Sequence, residues 1–257
     1  FGAVGGDVTS IIINPAGISV FNGNNASLTF QARNTNYLTT YYNNSLTIEE
    51  DFFKVTNAGA VLTFENNFNN EWSKLALGVN YRISTDFEDR FIAKGNSGFS
   101  SFNSFPLDMS QNPIIYDISE DQELSNYYDG EISELNFAFS GVYQEKLHVG
   151  AGLNFYDISF SQQTVLRETN NDGNDNTLNS RFYQENYTNG VGFSLSAGFI
   201  YKPTNTFRFG ISYKSPTWFT EIIENTNIIN NDGFFGDTEI EVSNSDVIYN
   251  NTFGGNL

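Results

Sequence analysis

Cysteine is absent from the 257 residues, so the chain forms no disulfide framework and holds no metal through thiolates. Basic residues are scarce, with 12 Lys and Arg against 30 Asp and Glu, and the net charge of −18 argues against a nucleic-acid partner. No run approaches the roughly 18 apolar residues of a membrane helix, and no secretory signal is visible at the start. These absences argue against disulfide-rich, nucleic-acid-binding and helical membrane proteins.

Aromatic residues are abundant instead, with 25 Phe and 14 Tyr, and many of them alternate with small or polar residues. In the stretch KLALGVNYRIS, Leu75, Leu77 and Val79 fall on one face of an extended chain, and Lys, Ala, Gly and Asn fall on the other. This period of two predicts a β-strand. The full set of segments with this pattern is 28–33, 57–65, 74–84, 135–144, 147–155, 191–201 and 207–214. Their lengths are comparable with the roughly 9–11 residues with which a tilted strand crosses a bilayer.

The connections between these segments alternate between short turns and long loops. The predicted long loops are residues 38–54, 85–130, 161–186 and 215–250. Such alternation is typical of outer-membrane barrels, in which the long loops are extracellular. The pattern therefore predicts an all-β fold, a transmembrane antiparallel β-barrel in the outer membrane of a Gram-negative cell.

A soluble antiparallel sandwich is the alternative fold, because its strands also alternate. Two features weigh against it. The polar faces of the strands carry Gly, Ser and Asn rather than Lys and Glu, and Tyr residues lie near the strand ends, as in an interfacial girdle. Seven strands cannot close a membrane barrel, so we expect this chain to be the first half of a longer protein.

Residues 1–25 do not share the period of two. They contain several glycines, the apolar run Ile11–Ile13 and the tetrapeptide Asn14-Pro15-Ala16-Gly17, and their Gly and Pro residues interrupt any long helix. This stretch is nevertheless too apolar to lie in water. We predict that residues 1–25 fill the barrel lumen as a hatch and that residues 26–257 form the barrel wall and its loops.

Two motifs carry a resemblance to a known family. Gly5-Gly6-Asp7, the apolar run and residues 14–17 resemble the N-terminal hatch of the FadL/TodX family of outer-membrane transporters. The segments YKPT, residues 201–204, and FRFGISYKSP, residues 207–216, resemble a hairpin of the same family. The Asn-, Tyr- and Phe-rich loops resemble those of members from Bacteroidota.

The resemblance implies a barrel of fourteen strands, about half of them in this chain. It implies passive uptake of long-chain fatty acids or other hydrophobic small molecules, without a cofactor. The partners it implies are membrane lipid, lipopolysaccharide and the hydrophobic ligand. The alternative is an accessory subunit of an outer-membrane secretion or assembly complex, whose partners would be proteins.

The hatch supplies the first group of candidate functional residues. The ligand path is predicted to involve Asn14, Pro15, Ala16, Gly17, Ile11, Ile13, Ile18 and Phe21. The turn at residues 14–17 is interpreted either as a gate that moves when ligand binds or as a rigid turn, in which Asn bonds its own backbone. The apolar residues either line a path for the ligand or pack against the wall.

The predicted loop 85–130 supplies the second group. Its candidate residues for ligand capture are Phe87, Phe91, Phe99, Phe102 and Phe105. An exposed cluster of aromatic residues is costly unless it packs on something. These residues are therefore interpreted either as a hydrophobic capture groove or as a lid that packs on itself.

Basic residues on the lumen face form the third group, which contains Arg33, Arg82 and Arg208. They either meet a carboxylate headgroup or pair with acids such as Asp7 and Glu65. No enzyme activity is predicted, because the single histidine is expected in the lumen rather than on a lipid-facing surface. No metal site is predicted either, since the acidic stretch 170–176 does not match the EF-hand spacing.

Overall fold

The computed structural model describes residues 5–65, 71–105, 112–204, 206–231, 238–244 and 250–251. A four-residue helix, α1 (Ser10–Ile13), is followed by a 3₁₀ helix (Pro15–Val20). The strands are β1 (Asn25–Tyr41), β2 (Asn44–Glu65), β3 (Trp72–Asp86), β4 (Asp89–Gly95), β5 (Ser104–Phe105), β6 (Ile114–Ile115), β7 (Ile118–Tyr143), β8 (Leu147–Asn171), β9 (Thr177–Tyr201), β10 (Phe209–Lys214), β11 (Thr217–Asn231), β12 (Thr238–Asn244) and β13 (Asn250–Asn251). Antiparallel strands dominate, so the all-β prediction is confirmed.

One antiparallel sheet contains most of these strands, in the order β1-β2-β3-β7-β8-β9-β11-β12. β4 continues the line of β3 along β7, and β10 and β11 lie one after the other along β9. The sheet is curled into a half-barrel. The seven segments with a period of two all lie in this sheet, within β1, β2, β3, β7, β8, β9 and β10.

The short connection between β7 and β8 matches its prediction. It turns at Gln144 and Glu145, both with positive φ, and β8 begins at Leu147. We call this side of the sheet, where β7 meets β8 and β9 meets β10, the short-turn end. The opposite side, where β1 meets β2 and β8 meets β9, is the long-strand end.

The four stretches predicted as loops are largely strand, and this part of the prediction is wrong. Residues 38–54 form the ends of β1 and β2 around a two-residue turn at Tyr42 and Asn43. Residues 85–130 contain β4 and half of β7, and residues 161–186 pair β8 with β9. The described part of residues 215–250 contains β11 and β12, and residues 232–237 and 245–249 of this predicted loop lie outside the described residues.

The physical reason is that a hydrogen-bonded ladder can continue where the amphipathic pattern stops. Above the alternating segments both faces of the strands carry mainly polar side chains, as in SQQTVLRETNN of β8, residues 161–171. The period of two in hydrophobicity then disappears, although each backbone N–H and C=O still finds its partner on the neighbouring strand. Strand length is therefore underestimated from hydrophobicity alone.

In a soluble protein the apolar face of a sheet is buried and the polar face is exposed, whereas in this sheet the apolar face is exposed and the polar face is buried. We call the face that carries α1 and the 3₁₀ helix the inner face and the other one the outer face. On β3 the outer residues Leu75, Leu77 and Val79 are 36%, 46% and 40% exposed, whereas the inner residues Ala76 and Asn80 are fully buried. Further large apolar side chains exposed on the outer face are Leu28, Phe30, Leu62, Phe64, Leu135, Phe137, Phe139, Phe155, Val191, Leu195, Phe209 and Ile211.

The N-terminal segment, residues 5–23, packs across the inner face at the short-turn end. Its Ile11 and Ile18 join a buried cluster with Val61 of β2 and with alanines of β3 and β7. Glycines of the wall admit its backbone, since a Cβ added to Gly150 would lie 2.5 Å from the carbonyl carbon of Pro15. No helix among the described residues is long and apolar enough to cross a membrane.

Candidate functional site

Asn14 anchors the N-terminal segment to itself and to the wall. Its Oδ1 accepts a hydrogen bond of 3.0 Å from the backbone N–H of Ala16 and so caps the 3₁₀ helix, in which Pro15 takes the first position. Its Nδ2 donates to the carbonyl oxygen of Phe199 on β9, at 3.3 Å. Residues 14–17 are all buried. These contacts support the rigid-turn interpretation of the tetrapeptide.

A second anchor joins the segment to β7 and β8. The hydroxyl of Ser19 lies 2.8 Å from Nδ1 of His148 and accepts a hydrogen bond of 2.9 Å from Ser140. All three side chains are at most 4% exposed. At the end of the segment, Nζ of Lys74 donates to the carbonyl oxygen of Phe21 at 2.7 Å. Because the segment itself covers the Ser–His contact, we assign this contact to holding the segment in place.

In the structure, some of the apolar residues predicted for a ligand path are buried and one is exposed. Ile11, Ile18 and Phe21 are 1%, 0% and 7% exposed and pack on the wall, together with Val8. Ile13 is 39% exposed. Of the apolar residues in the predicted set, Ile13 is therefore the exposed one, and Ile11, Ile18 and Phe21 pack on the wall.

A layer of amides crosses the inner face on the long-strand side of the segment. The strand register places Asn80, Asn136, Asn154 and Ser194 side by side on β3, β7, β8 and β9. Asn80 donates to Asn136 at 3.4 Å, Asn136 to Asn154 at 2.7 Å, and Asn154 to the hydroxyl of Ser194 at 3.2 Å. Asn136 and Asn154 each donate and accept within the layer, whereas the amide oxygen of Asn80 at its end is buried without a hydrogen-bond partner among the described residues.

Glu134 of β7 is the centre of the next layer and is fully buried. Its carboxylate lies 2.6 Å from Nη2 of Arg82 and 2.6 Å from Nζ of Lys214. Asn136 and the hydroxyl of Tyr156 donate to it at 2.9 and 3.0 Å. The two cations are 35% and 30% exposed, so a net positive charge faces the space above the inner face.

The partner of Arg82 differs from the prediction. Asp7 and Glu65 were the expected acids, but Asp7 instead accepts hydrogen bonds from Thr9 in its own turn. The register sets Arg82 directly opposite Glu134 on the neighbouring strand, which is why this carboxylate binds it. Glu134 is a functional candidate that sequence reasoning missed. Its even position, one residue before the alternating segment 135–144, was the available signal, but only the register identifies its partner.

A cavity of about 730 Å³ lies nearer the long-strand end. Phe87 and Phe160 meet edge to face in it, with ring centroids 5.1 Å apart, and Tyr128 stacks on Phe160 at 6.3 Å. Arg33 lines the same cavity, donates to the backbone carbonyl of Glu88 at 3.2 Å, and lies over the ring of Phe52. The cavity thus combines aromatic walls with charged groups.

The five aromatic residues predicted to capture ligand are not brought together. Phe87 lies in the cavity, whereas Phe99 is 78% exposed. Among the residues that the structure describes, no ring contact joins any two of the five. Phe160, which does meet Phe87, and Tyr128, which stacks on Phe160, were not predicted because they lie on β8 and β7, far from Phe87 in sequence.

The carboxylate of Glu168 holds the backbone of the segment that includes Phe102. The backbone N–H groups of Ser101 and Phe102 donate to Oε2 of Glu168, at 2.8 and 3.0 Å, and Gln122 donates to Oε1 at 2.6 Å. Burial would raise the pKa of Glu168, but these hydrogen bonds hold its pKa below the ordinary value. Residues 96–105 are thereby tied to β7 and β8. Within the described ranges no group of three His, Asp or Glu residues could hold a metal ion.

These features define a curled antiparallel sheet with an apolar outer face, a polar inner face and an N-terminal segment packed within the curl. Comparison with protein-family models gives no match. Neither the curated proteins nor the solved structures contain a significant match.

Proposed function

We propose that this chain is part of an outer-membrane barrel of the FadL type, which admits long-chain fatty acids or other hydrophobic small molecules by passive diffusion. The proposal rests on the burial pattern of the sheet, whose apolar face is exposed and whose polar face is buried. Leu, Val and Phe form a continuous exposed band on the outer face, while Asn, Ser and Glu are buried on the inner one. Such a band is favourable against lipid, whereas exposed apolar patches of this extent are rare on soluble monomers.

Several observations support the remaining parts of the proposal. The half-barrel curl supports a larger closed barrel, for which we propose fourteen strands, since open edges are not stable in lipid. The packing of residues 5–23 inside the curl supports their role as a hatch. In this arrangement the long-strand end is extracellular and meets lipopolysaccharide, and the short-turn end faces the periplasm.

The inner face suggests the order in which a ligand meets its sites. The aromatic cavity at Phe87 receives the apolar part of the ligand first. Arg82 and Lys214, whose charges Glu134 only partly neutralises, then stand where a carboxylate headgroup would arrive. Ile13 is the exposed apolar residue of the segment on the far side of this layer. No energy source or cofactor enters this sequence of steps.

The proposal is tested by uptake of labelled oleate into Gram-negative cells that lack their own fatty-acid transporter. The full-length protein should raise uptake above that of cells carrying an empty vector. In Gly150→Ala the added Cβ meets backbone atoms of the N-terminal segment, which cannot move aside as a side chain can. We expect this variant to displace the segment and to change oleate uptake several-fold.

Gly23→Ala is the matched control, because nothing lies within 4 Å of a Cβ at that position. It should transport as the wild type does. Folding of each variant is checked by the heat-dependent shift of the barrel on gels. Uptake that is the same in wild type, in Gly150→Ala and in cells with an empty vector would refute transport, and would favour an accessory subunit instead.

A further inference from the structure

Basic residues gather at the short-turn end of the inner face. The β8–β9 pairing of Leu147 with Tyr201 continues by one residue, where the N–H of Lys202 donates to the carbonyl oxygen of Lys146 at 2.9 Å. On the other side of β9, the first residue of β10, Phe209, pairs with Tyr201. Arg208 precedes Phe209 and therefore lies opposite Lys202. Three cations therefore share one row across three neighbouring strand ends.

Two further basic groups lie in the adjacent row. His148 of β8 and Lys74 of β3 flank the same residue of β7, Val142. The pKa of Lys202 is lowered by burial and then by the charges of Arg208 and Lys74, which places these groups within electrostatic reach of one another. Like charges in directly opposed positions destabilise a sheet.

No ion pair relieves this repulsion among the described residues. The ion pairs that the structure contains involve Lys54, Arg82, Arg90, Lys94, Arg167 and Lys214. Of the acids at the short-turn end, Glu65 is opposite Lys74 in the register but forms no ion pair with it. Glu71 accepts a hydrogen bond from Tyr143, and Glu145 lies in the turn itself.

This lack of compensation is unusual for a protein with 30 acids and 12 bases. Arg82 and Lys214, which lie further along the inner face toward the long-strand end, share the buried carboxylate of Glu134. Lys74 donates to the carbonyl oxygen of Phe21 but forms no ion pair. A group of ammonium and guanidinium donors without ion pairs is instead suited to an external carboxylate or phosphate, with which it forms charge-assisted hydrogen bonds.

We propose that Lys74, Lys146, Lys202 and Arg208 form an anion-binding site at the short-turn mouth of the inner face, which takes a carboxylate or phosphate group. If the anion is the headgroup of an amphiphile leaving the barrel, the inference rests on the proposed transport function. If it is a free anion of the periplasm, the site is independent of transport. Both sources present the same anionic group to the site, which belongs to an amphiphile in the first case and to a free anion in the second.

The test uses the purified full-length protein in a neutral detergent and three probes: oleate, oleyl alcohol and inorganic phosphate. The site variant is Lys202→Gln with Arg208→Gln. Its control is Arg167→Gln with Arg181→Gln, which makes the same change in charge at two directly opposed positions near the long-strand end. Binding is measured by calorimetric titration at two salt concentrations.

We expect the site variant to bind oleate or phosphate about tenfold more weakly, which corresponds to about 1.4 kcal/mol, and to bind oleyl alcohol unchanged. The control variant should bind all three probes as the wild type does. Loss for oleate with retention for the alcohol assigns the headgroup of an amphiphile. Loss for phosphate alone assigns a free anion.

Two results would overturn the site. The site variant could bind oleate and phosphate as tightly as the wild type, or the control variant could lose as much affinity as the site variant. Failure of the transport function is distinguishable from both. In that case the wild type binds neither oleate nor oleyl alcohol, and only the binding of phosphate tests the anion site. Phosphate affinity that the site variant loses sustains the site, and phosphate affinity that is unchanged or absent rejects it.

Discussion

Replacement of Leu77 by arginine tests whether the outer face of the sheet meets lipid. Leu77 is 46% exposed and lies between Leu75 and Val79 in the apolar band. At an exposed strand position in water, this substitution would change the free energy of unfolding by about 0.5 kcal/mol or less. On the lipid face of a barrel, arginine costs about 2–4 kcal/mol at the bilayer midplane and far less near the interfaces.

The depth of Leu77 follows from the strand geometry. Trp72 packs on Tyr143 with ring centroids 5.4 Å apart and marks the short-turn edge, as girdle aromatics do. Leu77 lies five residues further along β3, which is about 12 Å along the membrane normal at about 3.3 Å per residue and a tilt of about 45°. Half of an apolar band about 25 Å tall is the same distance, so the proposed barrel places Leu77 near the bilayer midplane. We expect Leu77→Arg to cost about 3 kcal/mol.

The assay is reversible unfolding by urea in phospholipid vesicles, followed by the fluorescence of Trp72 and Trp218. Leu38→Arg is the control, because Leu38 is 70% exposed near the β1–β2 turn and about 30 Å above the start of β1, beyond the apolar band. Its cost should stay within about 0.5 kcal/mol. Equal, small costs for the two variants would refute a lipid-facing outer surface and with it the proposed location.

Two further substitutions probe the inner face. Glu134→Gln deprives two cations of their counter-charge; because each cation is about one third exposed, we expect a loss of about 2–3 kcal/mol in the same titration, less than for a fully buried pair. Glu123→Gln, at an exposed ion pair, should cost less than about 1 kcal/mol, and equal costs would show that the Glu134 layer is hydrated. Glu168→Gln should lower the hydrogen-exchange protection of the Ser101 amide about tenfold at neutral pH. In the wild type the stabilisation by the Glu168 carboxylate is complete above about pH 4.5 and is lost as the pH falls through the lower pKa of the folded state. Unchanged protection of the Ser101 amide in the variant would contradict this role of Glu168.

The strands and their faces could be predicted from the sequence because alternation is a local property. Leu77 and Asn80 were assigned to opposite faces from their spacing alone, and the structure exposes the first and buries the second. The turn at Asn14 could likewise be predicted, since an Asn side chain that bonds the backbone two residues on needs no distant partner.

The side-chain partners could not be predicted, because they depend on register between strands that are distant in the chain. Glu134 meets Arg82 across 52 residues and Lys214 across 80. A shift of the β3–β7 register by one residue would turn Glu134 to the outer face. The cavity at Phe87 has the same origin, since its ring partner Phe160 comes from the far half of β8.

The position of the N-terminal segment is determined by the wall more than by the segment. Its own structure is a four-residue helix and one stretch of 3₁₀ helix, too short to be stable alone. Gly78 and Gly150 leave room where Ile11 and Pro15 approach β3 and β8, and a Cβ at either position would lie within 3 Å of the segment. Asn14 then finds its acceptor on β9. Because these contacts come from three different strands, the binding surface exists only when the sheet has its native curl and register. A change in the wall at Gly150 is therefore expected to displace the segment more effectively than a change at the exposed Ile13.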